Sequence, residues 1–168
     1  ALNSIKHYII NNEQKNAVHY LNKFSKLIRK ILESSSVKEV SLQEELETMD
    51  LYMNIENIRF SNEIDYNFNV DQTLDLSKIK VPPLVLQPFL ENALWHGLSS
   101  KKGDKNILLS VHKPSENFIQ IDIQDNGIGR KASAKIKSNK TIKRKSIGIE
   151  LTKERLNNFI KGFKNTFS

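Results

Sequence analysis

The residues best suited to chemistry lie in two short stretches of the chain. Glu91 and Asn92 are adjacent oxygen-bearing side chains within the stretch Leu86–Gly97. Carboxylate and carboxamide oxygens are ligands that a hard cation such as magnesium accepts. The sequence Asp-Asn-Gly-Ile-Gly follows at Asp125–Gly129, and its glycines permit close approach of the backbone to a ligand. Each stretch alone is more typical of ordinary structure than of a site, the first of a helix with a polar rim and the second of a turn.

A third stretch concentrates the positive charge of the chain. The net charge is +7, and the segment Arg130–Lys145 contains basic residues but no acidic ones, so the remainder is close to neutral. Ser146-Ile-Gly-Ile149 then enters a predicted helix, whose N-terminus favours an anion. No aromatic residue is interleaved in the basic segment for base stacking. The pattern therefore indicates a loop that faces a polyphosphate rather than a nucleic acid.

Composition excludes several classes of protein. The 168 residues include no cysteine, which excludes disulfides and thiolate metal sites. The four histidines are scattered without the spacing of a zinc site. No apolar run reaches about 18 residues, so the sequence predicts no membrane span.

Glu91 and Asn92, the polar pair, require a helix to position them. Four apolar residues fall on one stripe of a helix over Leu86–Gly97, while Asn92 and His96 lie four residues apart on a neighbouring face. Pro88 is compatible with the first turn. Trp95 is expected to pack, because an indole buries a large apolar area. The stripe consists of Leu86, Leu90, Ala93 and Leu94.

The remaining periodicity predicts helices followed by a mixed layer. Ser41 and Glu44 form a capping box that begins a helix running to about Arg59. An earlier helical region covers residues 1–35 with a break at Asn11-Asn12. The fold class is α+β, with a helical segment at 1–62 and an α/β layer at 63–168. Strands are predicted at 64–70, 107–111 and 118–123, a turn at 113–117 and a final helix at 148–160.

Three of these stretches together resemble a known ATP-binding superfamily. Leu86–Gly97, Asp125–Gly129 and Ser146–Leu156 resemble the N box and the two glycine boxes of the GHKL fold, shared by DNA gyrase, MutL, a chaperone class and histidine kinases. Leu51–Phe60 and Ile147–Leu156 resemble recurring phrases of LytS-type sensor histidine kinases. The resemblance covers nearly the whole chain.

The resemblance implies an architecture and an activity. It implies a Bergerat-type α/β sandwich, C-terminally truncated, at 63–168, preceded by a helical dimerisation segment at 1–62. The implied activity is that of a protein histidine kinase, which passes phosphate from ATP to a histidine and on to a response regulator. The implied partners are a second copy of the chain, joined through the N-terminal helices, and the regulator, but no nucleic acid. The implied location is the cytoplasmic portion of a membrane-anchored sensor kinase.

The same resemblance implies roles for individual residues. Asn92 would hold Mg²⁺ and with it the triphosphate of ATP, with Glu91 beside it as the catalytic residue. Asp125 would accept the adenine amino group, in a pocket shaped by Gly127 and Gly129. Arg130–Lys145 would form the ATP lid. The residues near the phosphates would be Lys143, Lys145, Ser146 and Gly148. For His96 two roles stay open, a contact to phosphate or a residue that only ends the helix.

The sequence departs from the family pattern at three points. The phosphoacceptor histidine is expected before Ala1, and neither His7 nor His19 matches its motif, so no autophosphorylation of this piece is expected. Ser146 stands where glycine is usual. The chain stops at Ser168, before the last strands of the family.

Two alternatives stay open. A degenerate, non-enzymatic dimerisation and signalling module would rely on the helices and bind nucleotide weakly or not at all. A gyrase-like or MutL-like ATPase would use Glu91 to act on water, although the long N-terminal helices favour the kinase. Binding of nucleic acid ranks last, because it depends on net charge alone.

Overall fold

The computed structural model describes residues 8, 10–11, 13–116, 118–129 and 147–166. They form helices and two small sheets, as the predicted α+β class requires. By internal contacts the chain divides into two compact units, Ala1–Ile64 with Leu76–Leu84, and Asp65–Asp75 with Val85–Ser168. In the described part of the chain, no helix is both long enough and apolar enough to cross a membrane. The domain boundary between residues 62 and 63 stays a prediction.

The first unit is built on two antiparallel helices, α1 (Gln14–Ser35) and α2 (Leu42–Arg59). Lys23 Nζ donates to Asn54 Oδ1 at 2.8 Å, and Lys30 Nζ lies 3.0 Å from Glu47 Oε2. Lys30 lies seven residues after Lys23 in α1, whereas its partner Glu47 lies seven residues before Asn54 in α2. The two contacts therefore fix the antiparallel register of the helices. The buried apolar side chains of this pair include Tyr20, Leu27, Met49 and Met53.

Helix α2 begins and ends where the sequence predicts. The Ser41 hydroxyl accepts from the Glu44 N–H at 3.2 Å, and the Glu44 carboxylate accepts from the Ser41 N–H at 2.8 Å, which confirms the capping box. After Arg59 the chain turns through Ser61 and Asn62, both with left-handed φ angles near 60° (56° and 59°). These conformations end the helix.

The side chain of Asn57 holds the residue that follows this turn. Its Nδ2 donates to the Ile64 carbonyl at 2.9 Å, and its Oδ1 accepts from the Ile64 N–H at 3.0 Å. Ile64 itself is buried. The carboxamide thereby fixes the start of strand β2 (Ile64–Val70), the strand predicted from alternation.

Two short strands complete the first unit, β1 (Val40–Ser41) and β3 (Lys80–Val81), which pair in antiparallel fashion. The Glu45 side chain is only 2% exposed, and its Oε2 accepts from the N–H of Leu84 at 2.8 Å. Leu84 has a φ of 57°, a left-handed conformation that is uncommon for a non-glycine residue. A buried carboxylate thus stabilises a strained backbone position.

The second unit contains a three-stranded sheet in the order β2, β4, β5. Strand β4 runs over Lys105–Ser115 and β5 over Phe118–Asp125, antiparallel with Leu109 opposite Ile123. Alternate residues of β4 are buried, namely Ile107, Leu109 and Val111. The predicted turn at 113–117 is wrong in extent, because β4 continues through Pro114 to Ser115 with a register shift after His112.

The described residues of the second unit also form three helical elements. Helix α3 spans Gln87–Asn92, a π-helix continues it over Ala93–Leu98, and helix α4 spans Ile147–Thr166. Helix α4 is longer than the predicted 148–160 and lies against α3. The β5 strand lies against the π-helix. This arrangement brings the end of β5 to the π-helix that follows Glu91 and Asn92.

Candidate nucleotide-binding site

The first turn of α3 is fixed by a proline and by burial of leucines. Pro88 occupies the first turn, where its missing N–H costs no helical hydrogen bond. Leu86 is 6% exposed and Leu90 is fully buried, so one face of the helix points into the unit. Ala93 and Leu94 are also buried, which confirms the predicted apolar stripe. The stripe leaves Glu91 and Asn92 half-buried on the flank of the helix.

The two members of the polar pair have different surroundings. Gln87 Nε2 donates to Glu91 Oε1 at 2.8 Å, one helical turn earlier. None of the described residues hydrogen-bonds to the carboxamide of Asn92. Within the described part of the chain, the Asn92 carboxamide therefore retains its oxygen for a ligand, whereas Glu91 is already oriented by Gln87.

The helix changes type immediately after Asn92, which the sequence analysis did not predict. Residues Ala93–Leu98 form a π-helix, with the N–H of Ser99 donating to the Leu94 carbonyl at 2.9 Å. Such wider turns insert one residue into an α-helix and often occur at functional sites. The prediction of one continuous α-helix to Gly97 is therefore wrong. Trp95 is 39% exposed, so the expected packing of its indole is only partial.

Gly97 lies near the end of the wider turn and contacts the glycine-containing loop. Its carbonyl accepts from the N–H of Ile128, a residue of that loop, at 3.1 Å. A Cβ on Gly97 would collide with the Asp125 carboxylate, whose Cγ would lie 3.0 Å away. A Cβ on Gly127 would collide with the backbone of Gly97. Only glycines at both positions permit this approach.

The glycine-containing loop is anchored by the side chains of its first two residues. The N–H of Gly127 donates to Asp125 Oδ1 at 2.9 Å, a local turn of the kind that aspartate favours. Asn126 Oδ1 accepts from the Asn106 N–H at 2.9 Å, and its Nδ2 donates to the Asp104 carbonyl at 3.2 Å. The loop is therefore held at the end of β5 while the Asp125 side chain is exposed.

Gly129 has a φ of 76°, a conformation that glycine adopts without strain. The left-handed conformation falls on Gly129 and not on Gly127.

The predicted site residues divide into three groups. The described side chains and glycines are Glu91, Asn92, His96, Asp125, Gly127 and Gly129, and His96 is half-buried within the π-helix. Lys143, Lys145 and Ser146, with the rest of the basic segment, lie outside the described residues. Gly148 falls in the first turn of α4. The roles assigned to all of them stay predictions.

Two residues of the site were missed by the sequence analysis. Gly97 was named only as the end of the helix. Its role becomes visible only in the fold, where it lies against the Asp125–Gly129 loop. Asn126 was treated as part of a turn, although an asparagine at a strand end commonly bonds to neighbouring backbone. Both residues act through long-range contacts that periodicity does not reveal.

The chemistry of the donor set is compatible with magnesium. No group of three or more His, Cys, Asp or Glu side chains suited to a metal occurs among the described residues. Mg²⁺ usually keeps several waters and binds through one or two protein oxygens together with substrate phosphates. The carboxamide of Asn92 and the carboxylate of Glu91 fit that mode of binding.

Comparison with known proteins supports one class. Residues 1–64 match the family model described as "Histidine kinase". Together with the relatives below, this match supports a histidine kinase.

The relatives include named sensor proteins. The chain is 36% identical over 119 residues to the protein YwpD of Bacillus subtilis, covering 71% of this chain and 42% of YwpD. It is 31% identical over 129 residues to the sensor protein LytS of Streptococcus agalactiae serotype V, covering 77% and 21% of the two chains. It is 30% identical over 129 residues to the sensor histidine kinase/phosphatase LytS of Staphylococcus aureus strain MRSA252, covering 77% and 22%. The chain thus spans less than half the length of these relatives.

Proposed function

We propose that this chain is the ATP-binding catalytic region of a two-component sensor histidine kinase. The observation that carries the proposal is the close contact between the Asp125–Gly129 loop and the π-helix that continues from Asn92, because these are two of the three stretches that resemble ATP-site motifs. Similarity to the LytS sensor proteins supports the same role.

The adenine end of the proposed site is the carboxylate of Asp125. Its Oδ1 accepts from Gly127 N–H, which orients the group, and the exposed carboxylate retains capacity to accept from an exocyclic amine. Gly127 and Gly129 leave room for a planar base beside the backbone. A hydrogen bond to an ionised acceptor is among the stronger kinds and gives selectivity for an amino-substituted base.

The phosphate end of the proposed site combines Asn92 with the basic segment. Asn92 would bind Mg²⁺, which when bound neutralises charge on the phosphates of ATP. Lys143, Lys145, Ser146 and Gly148 would contact the phosphates, with His96 as a further candidate. Glu91, oriented by Gln87, would hold or accept a proton near the attacking nucleophile.

The reaction proposed for the whole protein is transfer of the γ-phosphate to a histidine and then to an aspartate of a response regulator. Such transfer depends on positioning and charge neutralisation more than on covalent chemistry by the enzyme. The acceptor histidine lies outside this chain in the proposal, and the chain itself would be the cytoplasmic portion of a membrane-anchored kinase. Radioactive phosphate from ATP on His7 or on the exposed His19 would contradict this assignment.

A homodimer joined through the N-terminal helices is part of the proposal. Helix α1 has a second apolar seam beside its buried face, with residues at heptad-like spacing, and each is well exposed in the single chain. The residues and their exposed fractions are Val18 (58%), Leu21 (48%), Ile28 (39%) and Leu32 (65%). A second copy that covers this seam would complete a four-helix arrangement.

The same seam also favours the second candidate, a non-enzymatic dimerisation and signalling module. Dimerisation through α1 would proceed without nucleotide, and Ser146 in place of glycine is consistent with weak ATP binding. The two candidates differ in one measurable property, the affinity for Mg²⁺-ATP.

Calorimetric titration with Mg²⁺-ATP separates these candidates. We expect wild type to bind and Asp125→Ala to lose roughly tenfold or more in affinity, because a hydrogen bond to a charged group contributes about 1.5–3 kcal/mol. Asp122→Ala, three residues earlier on the same strand, is the matched control and should bind as wild type does. Indistinguishable curves for wild type and Asp125→Ala would exclude the adenine role, and no binding by wild type would favour the signalling module.

A further inference from the structure

The missing side chain of Gly97 controls where the Asp125 carboxylate can lie. Gly97 is buried, and its Cα faces the Asp125 side chain so closely that a Cβ would overlap Oδ1. The same oxygen accepts from the N–H of Gly127 at 2.9 Å. The carboxylate therefore occupies a slot between the π-helix and the loop, and this slot exists only because position 97 has no side chain.

We propose that Gly97 is a positioning residue that gives the site its preference for a 6-amino purine. This inference rests on the proposed function, since it assumes that Asp125 accepts from the base. With glycine at position 97, the carboxylate is held in one orientation by the Gly127 N–H. With any larger residue, the carboxylate must rotate away, and the acceptor oxygens leave the position in which the amine would be recognised.

A contrast between two glycines separates positioning from simple packing. At Gly97 the obstacle to a Cβ is the end of an exposed side chain, which can rotate into solvent, so Gly97→Ala should leave the fold intact. Alanine is moreover the better helix former. At Gly127 the obstacle is the backbone of Gly97, which has no such freedom, so Gly127→Ala should displace the whole loop.

The test compares Mg²⁺-ATP with the Mg²⁺ complex of purine riboside triphosphate, which lacks only the 6-amino group. Affinities are measured for the 168-residue chain as wild type, Gly97→Ala, Asp125→Ala and the double variant. We expect wild type to prefer ATP roughly tenfold or more, in line with one charge-assisted hydrogen bond. In Gly97→Ala the ratio of the affinity for ATP to the affinity for the analogue should fall towards one, while the affinity for the analogue is unchanged.

The double variant provides the decisive comparison. Because Asp125→Ala removes the group with which a Cβ at position 97 collides, adding Gly97→Ala to it should change neither affinity. Ser100→Ala, on the exposed turn after the π-helix, should keep the full preference for ATP. In Gly127→Ala the affinities for both nucleotides should fall together.

The possible failures are distinguishable. If wild type binds neither nucleotide, the proposed function fails and this inference with it. If wild type binds both nucleotides equally, the adenine role of Asp125 fails and this inference with it, while ATP binding itself stands. If wild type prefers ATP and Gly97→Ala keeps that preference, or loses affinity for both nucleotides to the same extent, only the inference about Gly97 is wrong. Additive effects in the double variant would likewise overturn it.

Discussion

The buried carboxylate of Glu45 accepts a hydrogen bond from the backbone N–H of Leu84 at 2.8 Å, across 39 residues of sequence. Leu84 is the last residue of the first unit and has a left-handed φ of 57°. The second unit resumes with Val85, and α3 begins two residues later. One acid in the first turn of α2 therefore fixes the backbone of the last residue of the first unit.

Loss of this carboxylate should destabilise the protein more than loss of an exposed one. Glu45→Ala leaves the part-buried N–H of Leu84 without this acceptor, which should lower the free energy of unfolding by about 1–3 kcal/mol. Glu47→Ala breaks the more exposed pair with Lys30 and should cost at most about 1 kcal/mol. Denaturant unfolding of the two variants measures the difference. Equal costs would show that the Leu84 contact contributes little.

The capping box at the start of α2 should make stability depend on pH. The pKa of the Glu44 carboxyl lies below its ordinary value of 4.5, because the Ser41 hydroxyl and then the Ser41 N–H donate to it. A depressed folded-state pKa means that the unfolded chain binds more protons in acid. The stabilising contribution is therefore complete above the unfolded value and is lost as pH falls through the lower folded value.

Unfolding of wild type and Glu44→Gln from pH 7 to pH 3 tests this expectation. The variant should show a shallower decline in stability below pH 4.5, although the Glu47 carboxyl, whose pKa is lowered mainly by Lys30, contributes in the same direction. Ser41→Ala should reduce the slope similarly and cost about 1 kcal/mol at neutral pH through loss of the cap. Parallel pH curves for wild type and both variants would contradict the assignment.

The exposed seam of α1 predicts a variant that does not dimerise. Ile28→Glu places a charge among Leu21, Leu32 and their copies in a second chain, which should raise the dimer dissociation constant at least about a hundredfold. Sedimentation equilibrium measures the constant. His19→Glu adds the same charge to the exposed polar side of α1 and should leave it unchanged. A monomeric wild type, or equal effects of both substitutions, would refute dimerisation through this seam.

The proposed role of Asn92 predicts a specific loss of metal dependence. Asn92→Ala should lower ATP affinity in the presence of Mg²⁺ and leave the affinity in EDTA unaltered, because the carboxamide acts only through the metal. Gln87→Ala removes the amide that orients Glu91 but leaves Asn92 in place, and should retain the enhancement by Mg²⁺. An unchanged Mg²⁺ enhancement in Asn92→Ala would assign the metal to other ligands.

The sequence predicted correctly those elements that depend on residues close together in the chain. The capping box at Ser41, the end of α2 at Arg59 and strand β2 all follow from contacts within a few residues, and all three are confirmed. The buried stripe of α3 is likewise confirmed, because it depends only on apolar spacing and on the presence of a core.

The features that were not predicted depend on residues far apart in the chain. Gly97 packs against a loop about thirty residues later, and the buried Glu45 bonds to the backbone of Leu84, which is distant in sequence. An acid in the first turn of a helix is normally read as a solvent-exposed charge near the helix dipole. Continuation of β4 past Pro114 depends on its pairing with β5 and a local bulge.

Asn57 has a further consequence for the edge of the sheet. Its carboxamide occupies both the N–H and the carbonyl of Ile64, as a residue of a neighbouring strand would. Strand β2 lies at one end of the three-stranded sheet in the described residues, and an open edge is a template for pairing with other chains. A single amide side chain thus blocks strand addition at the first residue of β2 and disfavours edge-to-edge aggregation there.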